Sequence, residues 1–187
     1  MKNRIVILLL IQMIVASCGS YQKYEPLNVF LETELKKDQK AILVKDKSSN
    51  KNTLRIFFRG DGNMEIEEKY RSRLFNQKDY ETMYNQYATD SIQKPWTPND
   101  FPKLNLIFEN KLGLWNTSFL DKYEASPLDV YFLSEPLFYK NKEYIMFYFD
   151  RGNTNDISGT YVHQVIVMKK VDGKWQVIER IADYVYY

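Results

Sequence analysis

A two-residue turn, Asp172-Gly173, is the feature that most constrains how this chain folds. It lies between two runs of β-branched and aromatic residues, over residues 160–170 and 175–186. An Asp-Gly pair between such runs is typical of a type I′ hairpin, in which both central residues need positive φ. The turn therefore predicts two antiparallel strands and fixes the register between them.

The register follows from the pair that closes the turn, Val171 with Lys174. If the pairing continues without interruption, alternate residues of each strand share one face of the sheet. Neither face is then cleanly polar, which predicts that both are covered over part of their length. The cross-strand pairs expected further along are His163 with Ala182, Gln164 with Ile181, and Ile166 with Glu179.

Other runs predict the remaining strands. Residues 130–133 and 143–149 extend the hairpin into an antiparallel meander. Residues 41–44 and 53–58 also read as strands, because β-branched and aromatic residues are frequent there. Residues 104–108 are a further candidate strand, and 113–123 are either helix or loop.

Two helices are expected before the meander. Leu27, Phe30, Leu31 and Leu35 recur at helical spacing and predict a first helix that ends near Gln39. A second helix, with one aromatic face, is expected to begin after Asn76 or Asp79, because either side chain can cap a helix. The apolar positions of this second helix are Tyr80, Met83, Tyr84 and Tyr87.

This order of elements gives an α+β class, with N-terminal helices packed on a C-terminal antiparallel β-meander. It resembles the NTF2-like and cystatin-like architectures, and the resemblance implies a ligand site between helix and sheet. The pattern Ser134-Glu135-Pro136-Leu137-Phe138, followed by an aromatic strand and Asp172-Gly173-Lys174-Trp175, resembles that of uncharacterised exported proteins of Bacteroidota. This second resemblance implies neither an activity nor a ligand.

The N-terminus has the form of an export signal. Lys2 and Arg4 precede an apolar run over residues 5–15, which is interrupted only by Gln12. A basic start, an apolar stretch of about 7–15 residues and small residues at the end match a signal peptide, whereas a membrane-spanning helix needs about 20 apolar residues. Residues 1–17 are therefore expected to be removed from the mature protein.

Val15-Ala16-Ser17-Cys18 resembles the lipobox of bacterial lipoproteins. The resemblance implies a diacylglyceryl thioether on Cys18, cleavage before it and acylation of the new amino terminus, including by palmitate. Gly19 after the cysteine favours the outer membrane over the inner one by the enterobacterial rule. The sequence thus divides into a signal peptide (1–17), a tether (18–26) and a single α+β domain (27–187), anchored in the cell envelope through Cys18.

The charge of the processed chain differs from that of the full sequence. The 187 residues carry a formal net charge of +2, but the leader contains two basic residues and no acid. Its removal leaves 170 residues with 24 basic and 24 acidic side chains. An overall basic charge is therefore no argument for nucleic acid as a partner.

Few side chains offer catalytic chemistry. His163 is the only histidine, and with Ala182 opposite it nothing is expected to orient its ring. Glu179 and Asp183 would share a strand face about 13 Å apart, beyond the about 5–9.5 Å that separates the carboxylates of glycoside hydrolases. Together with Gln164, these three residues are the polar candidates on the sheet.

No cofactor or metal is expected. One cysteine and one histidine cannot supply the four ligands of a structural zinc site, and no phosphate loop, dinucleotide fingerprint, Gly-x-Ser-x-Gly elbow or HExxH motif is found. The acidic stretch that begins at Asp61 lacks the glycine and the final glutamate of a calcium loop.

The sequence therefore predicts a lipid-anchored, non-catalytic protein that binds a small ligand or an envelope protein between the helices and the meander. The alternative is an envelope hydrolase that uses carboxylates and tyrosines from separate elements. It requires His163, Glu179 or Asp183 to line a pocket beside a second polar group. A third interpretation is a partner protein recognised through exposed Trp96, Phe101 and Trp115.

Overall fold

The computed structural model describes residues 23–35, 39–59, 71–89, 94–155 and 163–183. Within these ranges the helices are α1 (23–34), α2 (Asn50–Arg59), α3 (Gln77–Tyr87) and α4 (Thr117–Tyr123). The strands are β1 (Ala41–Val44), β2 (Leu106–Glu109), β3 (Asp129–Leu133), β4 (Leu137–Tyr139), β5 (Tyr144–Asn153), β6 (His163–Val171) and β7 (Lys174–Asp183). The α+β class and the C-terminal strands are confirmed.

All seven strands form one mixed sheet in the order β2-β1-β3-β5-β6-β7, and β4 pairs with β5 outside this path. β1 is parallel to β2 and to β3, and the other pairs are antiparallel. β3 and β4 pair with successive halves of β5, on either side of Ser134-Glu135-Pro136. Proline cannot donate a ladder hydrogen bond, which accounts for a break at this point.

The predicted turn is confirmed. Asp172 and Gly173 have φ of 49° and 79°. The register holds from Val171 opposite Lys174 as far as Met168 opposite Val177. The turn residues therefore determine the first four pairs of this hairpin.

Beyond those four pairs the predicted register is wrong. A β-bulge places Val167 opposite Glu179, so Ile178 is an extra residue in β7. His163 therefore pairs with Asp183, Gln164 with Ala182, and Ile166 with Arg180. Because the side-chain period of a strand is two, one extra residue moves every later side chain of β7 to the opposite face.

Helices cover both faces of the sheet. On one face, Leu27, Phe30 and Leu31 of α1 pack with Trp96 and Phe101 against the strands. On the other face, α2 and α3 cover β4 to β7, and α4 covers β1 and β3. The strands consequently bury apolar side chains in both directions, as the mixed polarity of the sequence pattern required.

Residues 53–58, predicted to be a strand, are part of α2. Asn50, Thr53, Leu54 and Phe57 are buried at positions i, i+3, i+4 and i+7, which is one face of a helix. Thr53 and Ile56 give the run a strand-like composition, and a short apolar run does not distinguish helix from strand by composition alone.

The boundaries of the first helix also differ from those predicted. Residues 23–26, assigned to the tether, are helical, and the ring of Tyr24 in this turn is buried. Pro26 is tolerated there because the amide groups at the start of a helix have no intrahelical acceptor. The helix ends at 34, and Gln39 is not helical.

The cap predicted for the aromatic helix is confirmed. α3 begins after Asn76, whose Oδ1 accepts a hydrogen bond from the Asp79 backbone N–H at 3.1 Å.

Cys18 lies outside the described residues. Within the part of the chain that is described, no helix is long and apolar enough to span a membrane.

Candidate functional site

The space between α3 and the sheet, where the sequence places a ligand, is filled by side chains. Tyr80 and Met83 of α3 are buried against Leu137, Tyr139 and Met146. The Tyr139 hydroxyl accepts a hydrogen bond from the Asn76 N–H at 2.9 Å and donates one to the Leu74 carbonyl at 3.0 Å. Burial raises the pKa of Tyr139 to about 12. The aromatic face of α3 is therefore part of the hydrophobic core and not a ligand site.

The polar candidates on the sheet do not form one group. Glu179 accepts a hydrogen bond from the Ser72 hydroxyl at 2.5 Å, so its carboxylate fastens the segment before α3 to β7. Gln164 follows His163 in β6 and therefore belongs to the opposite face. Asp183 is the Cα partner of His163, and its side chain is not described. Of these residues, His163 alone enters a cluster with possible catalytic chemistry.

His163 contacts two groups of β5 that the sequence did not suggest. Its Nδ1 lies 3.2 Å from Asp150 Oδ2 and makes a short hydrogen bond with the Tyr148 hydroxyl. The Asp150 side chain is only 8% exposed, and that of His163 is 23% exposed. Asp150 Oδ1 is buried and has no hydrogen-bond partner in the described structure.

Asp150 and Tyr148 hold the imidazole of His163 in one orientation. In the tautomer whose Nδ1–H donates to Asp150, Nε2 is the proton acceptor, which is the arrangement of a general base. The prediction that nothing orients His163 is therefore wrong. It failed because the bulge changes the partner of His163 and because the contacts come from β5 rather than β7. The alternation of Tyr148 and Asp150 was the available signal, since both share a face with His163 once β5 pairs with β6.

The aromatic residues proposed as an exposed recognition surface are not exposed. Trp96 and Phe101 are both buried, and their rings meet edge to face at 5.3 Å. Three prolines near them favoured a loop on the surface, but the loop packs its aromatic residues onto the sheet. The side chain of Trp115 is not described.

A buried cation lies beside Trp96. The Lys47 side chain is 4% exposed, and its Nζ lies 4.0 Å from the centre of the Trp96 ring. The same Nζ makes a short contact with the Glu135 carboxylate and lies 3.4 Å from the Tyr24 hydroxyl. Lys23 completes the cluster, 2.9 Å from the other carboxylate oxygen of Glu135.

The charges of this cluster compensate one another. Burial alone raises the pKa of the Glu135 carboxyl, but the ammonium groups of Lys47 and Lys23 outweigh burial and lower that pKa below its usual range. Burial and the adjacent Glu135 raise the pKa of the Tyr24 phenol far above its usual value. The cluster therefore joins α1, the segment after β1 and the segment after β3 by contacts that need its ionised carboxylate.

A groove of about 340 Å³ lies between α2 and α3 on the outside of the domain. One wall carries Lys51, Arg55 and Arg59, which lie at positions i, i+4 and i+8 of α2. The other wall carries Tyr80 and Tyr84 of α3, and Tyr84 is 48% exposed. Cations thus face aromatic rings across an open groove.

The charge of the groove is one-sided along α2, since the helix has three basic residues and no acidic one. The three cations lie on one side of α2 and give this wall of the groove a positive charge, which attracts an anion. Burial raises the pKa of the Tyr80 phenol, Tyr84 adds to the rise, and Arg59 opposes it. The prediction that residues 53–58 form a strand concealed this row of cations, although the four-residue spacing of Lys51, Arg55 and Arg59 is present in the sequence.

Aromatic and basic side chains continue along one side of this groove. Phe58 stacks on Tyr80, with 5.0 Å between ring centres. The Arg71 guanidinium lies 5.1 Å from the Phe58 ring centre, and its Nε is buried without a hydrogen-bond partner among the described residues. Arg71 does not itself line the groove, and its guanidinium packs against the rings that support the groove wall.

A second open groove, of about 700 Å³, lies where β1 and β2 end. Its lining includes Asp46, Lys47, Glu109 and Lys111. Asp46 Oδ2 accepts a hydrogen bond from the Lys111 backbone N–H at 2.8 Å, and Glu109 Oε1 lies 3.0 Å from Lys122 Nζ. The lining of this groove contains two acids and no aromatic ring, whereas that of the α2–α3 groove contains aromatic rings and no acid. The α2–α3 groove is therefore the better candidate site for an anion.

Neither groove is lined by His163, Gln164 or Glu179. Across the described ranges, no group of three or more His, Cys, Asp or Glu side chains is placed to hold a metal ion. No protein-family model matches the chain, and no curated protein or solved structure matches it.

Proposed function

We propose that this chain is a lipid-anchored protein of the bacterial envelope that binds an anionic ligand with an aromatic or apolar part in the α2–α3 groove. The observation that carries the proposal is the groove itself, with Lys51, Arg55 and Arg59 on one wall and Tyr80 and Tyr84 on the other. The anchor is supported by the lipobox-like Val15-Ala16-Ser17-Cys18.

The chemistry of the groove fits such a ligand. Guanidinium groups bind carboxylate, phosphate or sulfate through paired hydrogen bonds, and an exposed tyrosine ring offers a face for stacking. A volume of about 340 Å³ is at the small end of the range for small-molecule sites. The ligand class is therefore a small organic anion rather than a long polymer buried along its length.

The anchor is tested by metabolic labelling with a clickable palmitate. Cells that produce the wild-type chain are expected to show a labelled band, and cells that produce Cys18→Ala are expected to show none, because acylation in lipoproteins requires the cysteine. Equal labelling of the two chains contradicts the anchor.

The groove is tested with 8-anilinonaphthalene-1-sulfonate, an aromatic anion that fluoresces when it leaves water. Arg55→Glu places a carboxylate at the centre of the basic wall and is expected to weaken binding at least about tenfold, a change of about 1.4 kcal/mol. Lys103→Glu makes the same charge change at an exposed residue outside the groove and is the matched control. Equal affinity of the two variants contradicts the groove as the binding site.

A second candidate function is hydrolysis, favoured by the contact of Asp150 and Tyr148 with Nδ1 of His163. His163 would then act as the base that activates water through Nε2. Substitution of His163 discriminates between the two candidates, since groove binding does not require this residue.

A further inference from the structure

Five lysines gather at one end of the sheet. The loop between β4 and β5 and the turn between β6 and β7 lie side by side, because Tyr144 pairs with Lys169. We refer to the lysines of this end as the basic tip: Lys140, Lys142, Lys169, Lys170 and Lys174.

The tip is basic although the processed chain is neutral. Its acids are Glu143, which pairs with Lys169 at 2.6 Å, Asp172 in the turn, and Glu25 of α1, whose carboxylate lies 3.7 Å from Lys170 Nζ. Three acids against five lysines leave two positive charges in excess at this end. Total charge therefore conceals a local asymmetry, and such a patch attracts polyvalent anionic surfaces.

The loop that presents two of these lysines has an unfavourable backbone. Lys140, Asn141 and Lys142 have φ of 47°, 52° and 68°, which is the left-handed region that L-residues other than asparagine and glycine avoid. Three such residues in succession are costly, and strain of this kind concentrates where a loop has a role beyond folding.

Aromatic rings lie beneath the lysines of the tip. The Lys140 ammonium is 5.6 Å from the Tyr139 ring centre, that of Lys142 is 5.7 Å from Phe138, and that of Lys170 is 5.7 Å from Trp175. Tyr139 belongs to the core, whereas Phe138 and Trp175 are partly exposed. Partly exposed rings beside ammonium groups suit a membrane interface, where rings lie at headgroup depth and ammonium groups meet phosphates.

The tip is also close to the start of α1. Glu25, in the first turn of that helix, accepts a hydrogen bond from Trp175 Nε1 at 3.0 Å and lies 3.7 Å from Lys170 Nζ. Cys18 precedes residue 23 by five residues, and five residues of chain span at most about 18 Å. A lipid on Cys18 therefore places the tip within reach of the headgroups, but a chain of this length does not by itself fix the orientation of the domain.

We propose that the basic tip docks on the anionic surface of the bilayer that holds the acyl chains of Cys18. The proposal rests on the anchor of the proposed function, but not on the groove. The acyl chains supply the first attachment and the lysines a second one, which fixes the orientation of the domain. The acyl chains expected on Cys18 are more than one and hold the protein firmly by themselves, so the lysines contribute the orientation of the domain rather than its retention.

The experiment measures the height of two points above the membrane in the acylated full-length protein. Gln176→Cys lies near the tip and Asn155→Cys lies beyond the far end of β5, so about 30 Å of strand separates them. In the acylated protein the thiol of Cys18 is consumed, so a donor dye reacts only at the introduced cysteine. Energy transfer is then measured to an acceptor on the headgroups of phosphatidylethanolamine–phosphatidylglycerol vesicles.

Transfer from position 176 is expected to be at least about twice that from position 155, given the separation of the two sites. The difference is expected to disappear in the charge reversal Lys142→Glu with Lys174→Glu, and in 1 M salt, where screening reaches about 3 Å. It is expected to persist in the matched reversal Lys40→Glu with Lys103→Glu, at the opposite end of the sheet, where β1 and β2 begin.

Equal transfer from the two sites overturns the proposal. A preference for position 176 that survives both the tip reversal and high salt also overturns it, because the short tether alone then accounts for the proximity. Mass spectrometry of the purified protein reports acylation of Cys18 separately. A protein without acyl chains overturns the anchor and the docking together, whereas an acylated protein with equal transfer overturns the docking alone.

Discussion

Two regions of this domain bring cations against aromatic rings, and they differ in burial. Lys47 is almost completely enclosed by Trp96, Tyr24 and Glu135. The cations of α2 instead line an open groove beside the exposed ring of Tyr84. The same residue types therefore serve as internal support in one region and as a binding surface in the other.

Solvation explains the difference. A charge removed from water requires a partner within the protein, so loss of that partner destabilises the fold. A charge at an open groove remains hydrated and contributes little to stability. Burial thus decides whether a cation beside an aromatic ring matters for folding or for binding, and substitutions at the two regions should separate these effects.

The largest effect is expected for Lys47→Ala. It leaves the Glu135 carboxylate buried without its main partner, and breaking a buried ion pair costs about 3–5 kcal/mol of the free energy of unfolding. Urea denaturation followed by tryptophan fluorescence measures this loss. The exposed control Lys78→Ala should change the value by no more than about 0.5 kcal/mol, and a similarly small change for Lys47→Ala contradicts the supporting role.

The second-largest effect is expected from acid, which should weaken the Lys47 cluster. The pKa of the Glu135 carboxyl is lower in the folded protein than in the unfolded chain, where it is about 4.3. Its contribution is therefore fully present above about pH 4.3 and is lost as the pH falls through the folded value. Between pH 6 and 3, the free energy of unfolding measured by urea titration should fall more steeply for the wild type than for Glu135→Gln. Parallel curves contradict the stabilising role of the ionised Glu135 carboxylate.

His163 lies between the two extremes in burial, and its substitution should have an intermediate effect. His163→Gln removes the contacts with Asp150 and Tyr148 and should lower the free energy of unfolding by about 1 kcal/mol. Affinity of the groove for 8-anilinonaphthalene-1-sulfonate should remain within about twofold. If the wild type hydrolyses 4-nitrophenyl acetate and this variant does not, the hydrolase is favoured over the binding protein.

The smallest effect on stability is expected in the groove. Arg55→Glu replaces two repulsive i, i+4 pairs, with Lys51 and Arg59, by two attractive ones. Its free energy of unfolding should stay within about 0.5 kcal/mol of the wild-type value. If Arg55→Glu lowers the free energy of unfolding by more than about 2 kcal/mol, Arg55 supports the fold as Lys47 does. The distinction between the two regions is then wrong.

Local signals in the sequence predicted much of the fold. The Asp172-Gly173 turn, the cap at Asn76 and the strands around residues 130–133 and 143–149 follow from the preferences of a few neighbouring residues. α2 was misassigned because Thr53 and Ile56 favour strands locally, whereas burial on the sheet stabilises the helix. Tertiary packing overrides propensity in such short runs.

The candidate site was harder to predict because it depends on pairing between distant segments. No glycine marks the bulge at Ile178, so the partner of His163 was displaced without a visible signal. The contacts of Asp150 with His163, and of Lys47 with Trp96 and Glu135, require strand order that no local pattern contains. Side chains that meet across three or more elements are beyond what periodicity can determine.

Helix α1 and strand β7 lie far apart in the sequence but contact each other, and this affects the order in which the domain folds. Glu25 contacts Trp175 and Glu34 contacts Arg180, across separations of 150 and 146 residues. The face of the sheet under α1 is thus completed by β7, the last of the described strands, and contacts of such long separation form slowly. During synthesis α1 can pack on Trp96 and Phe101 once these residues have been made, but the contacts of Glu25 and Glu34 must wait for β7, so this face of the sheet closes last.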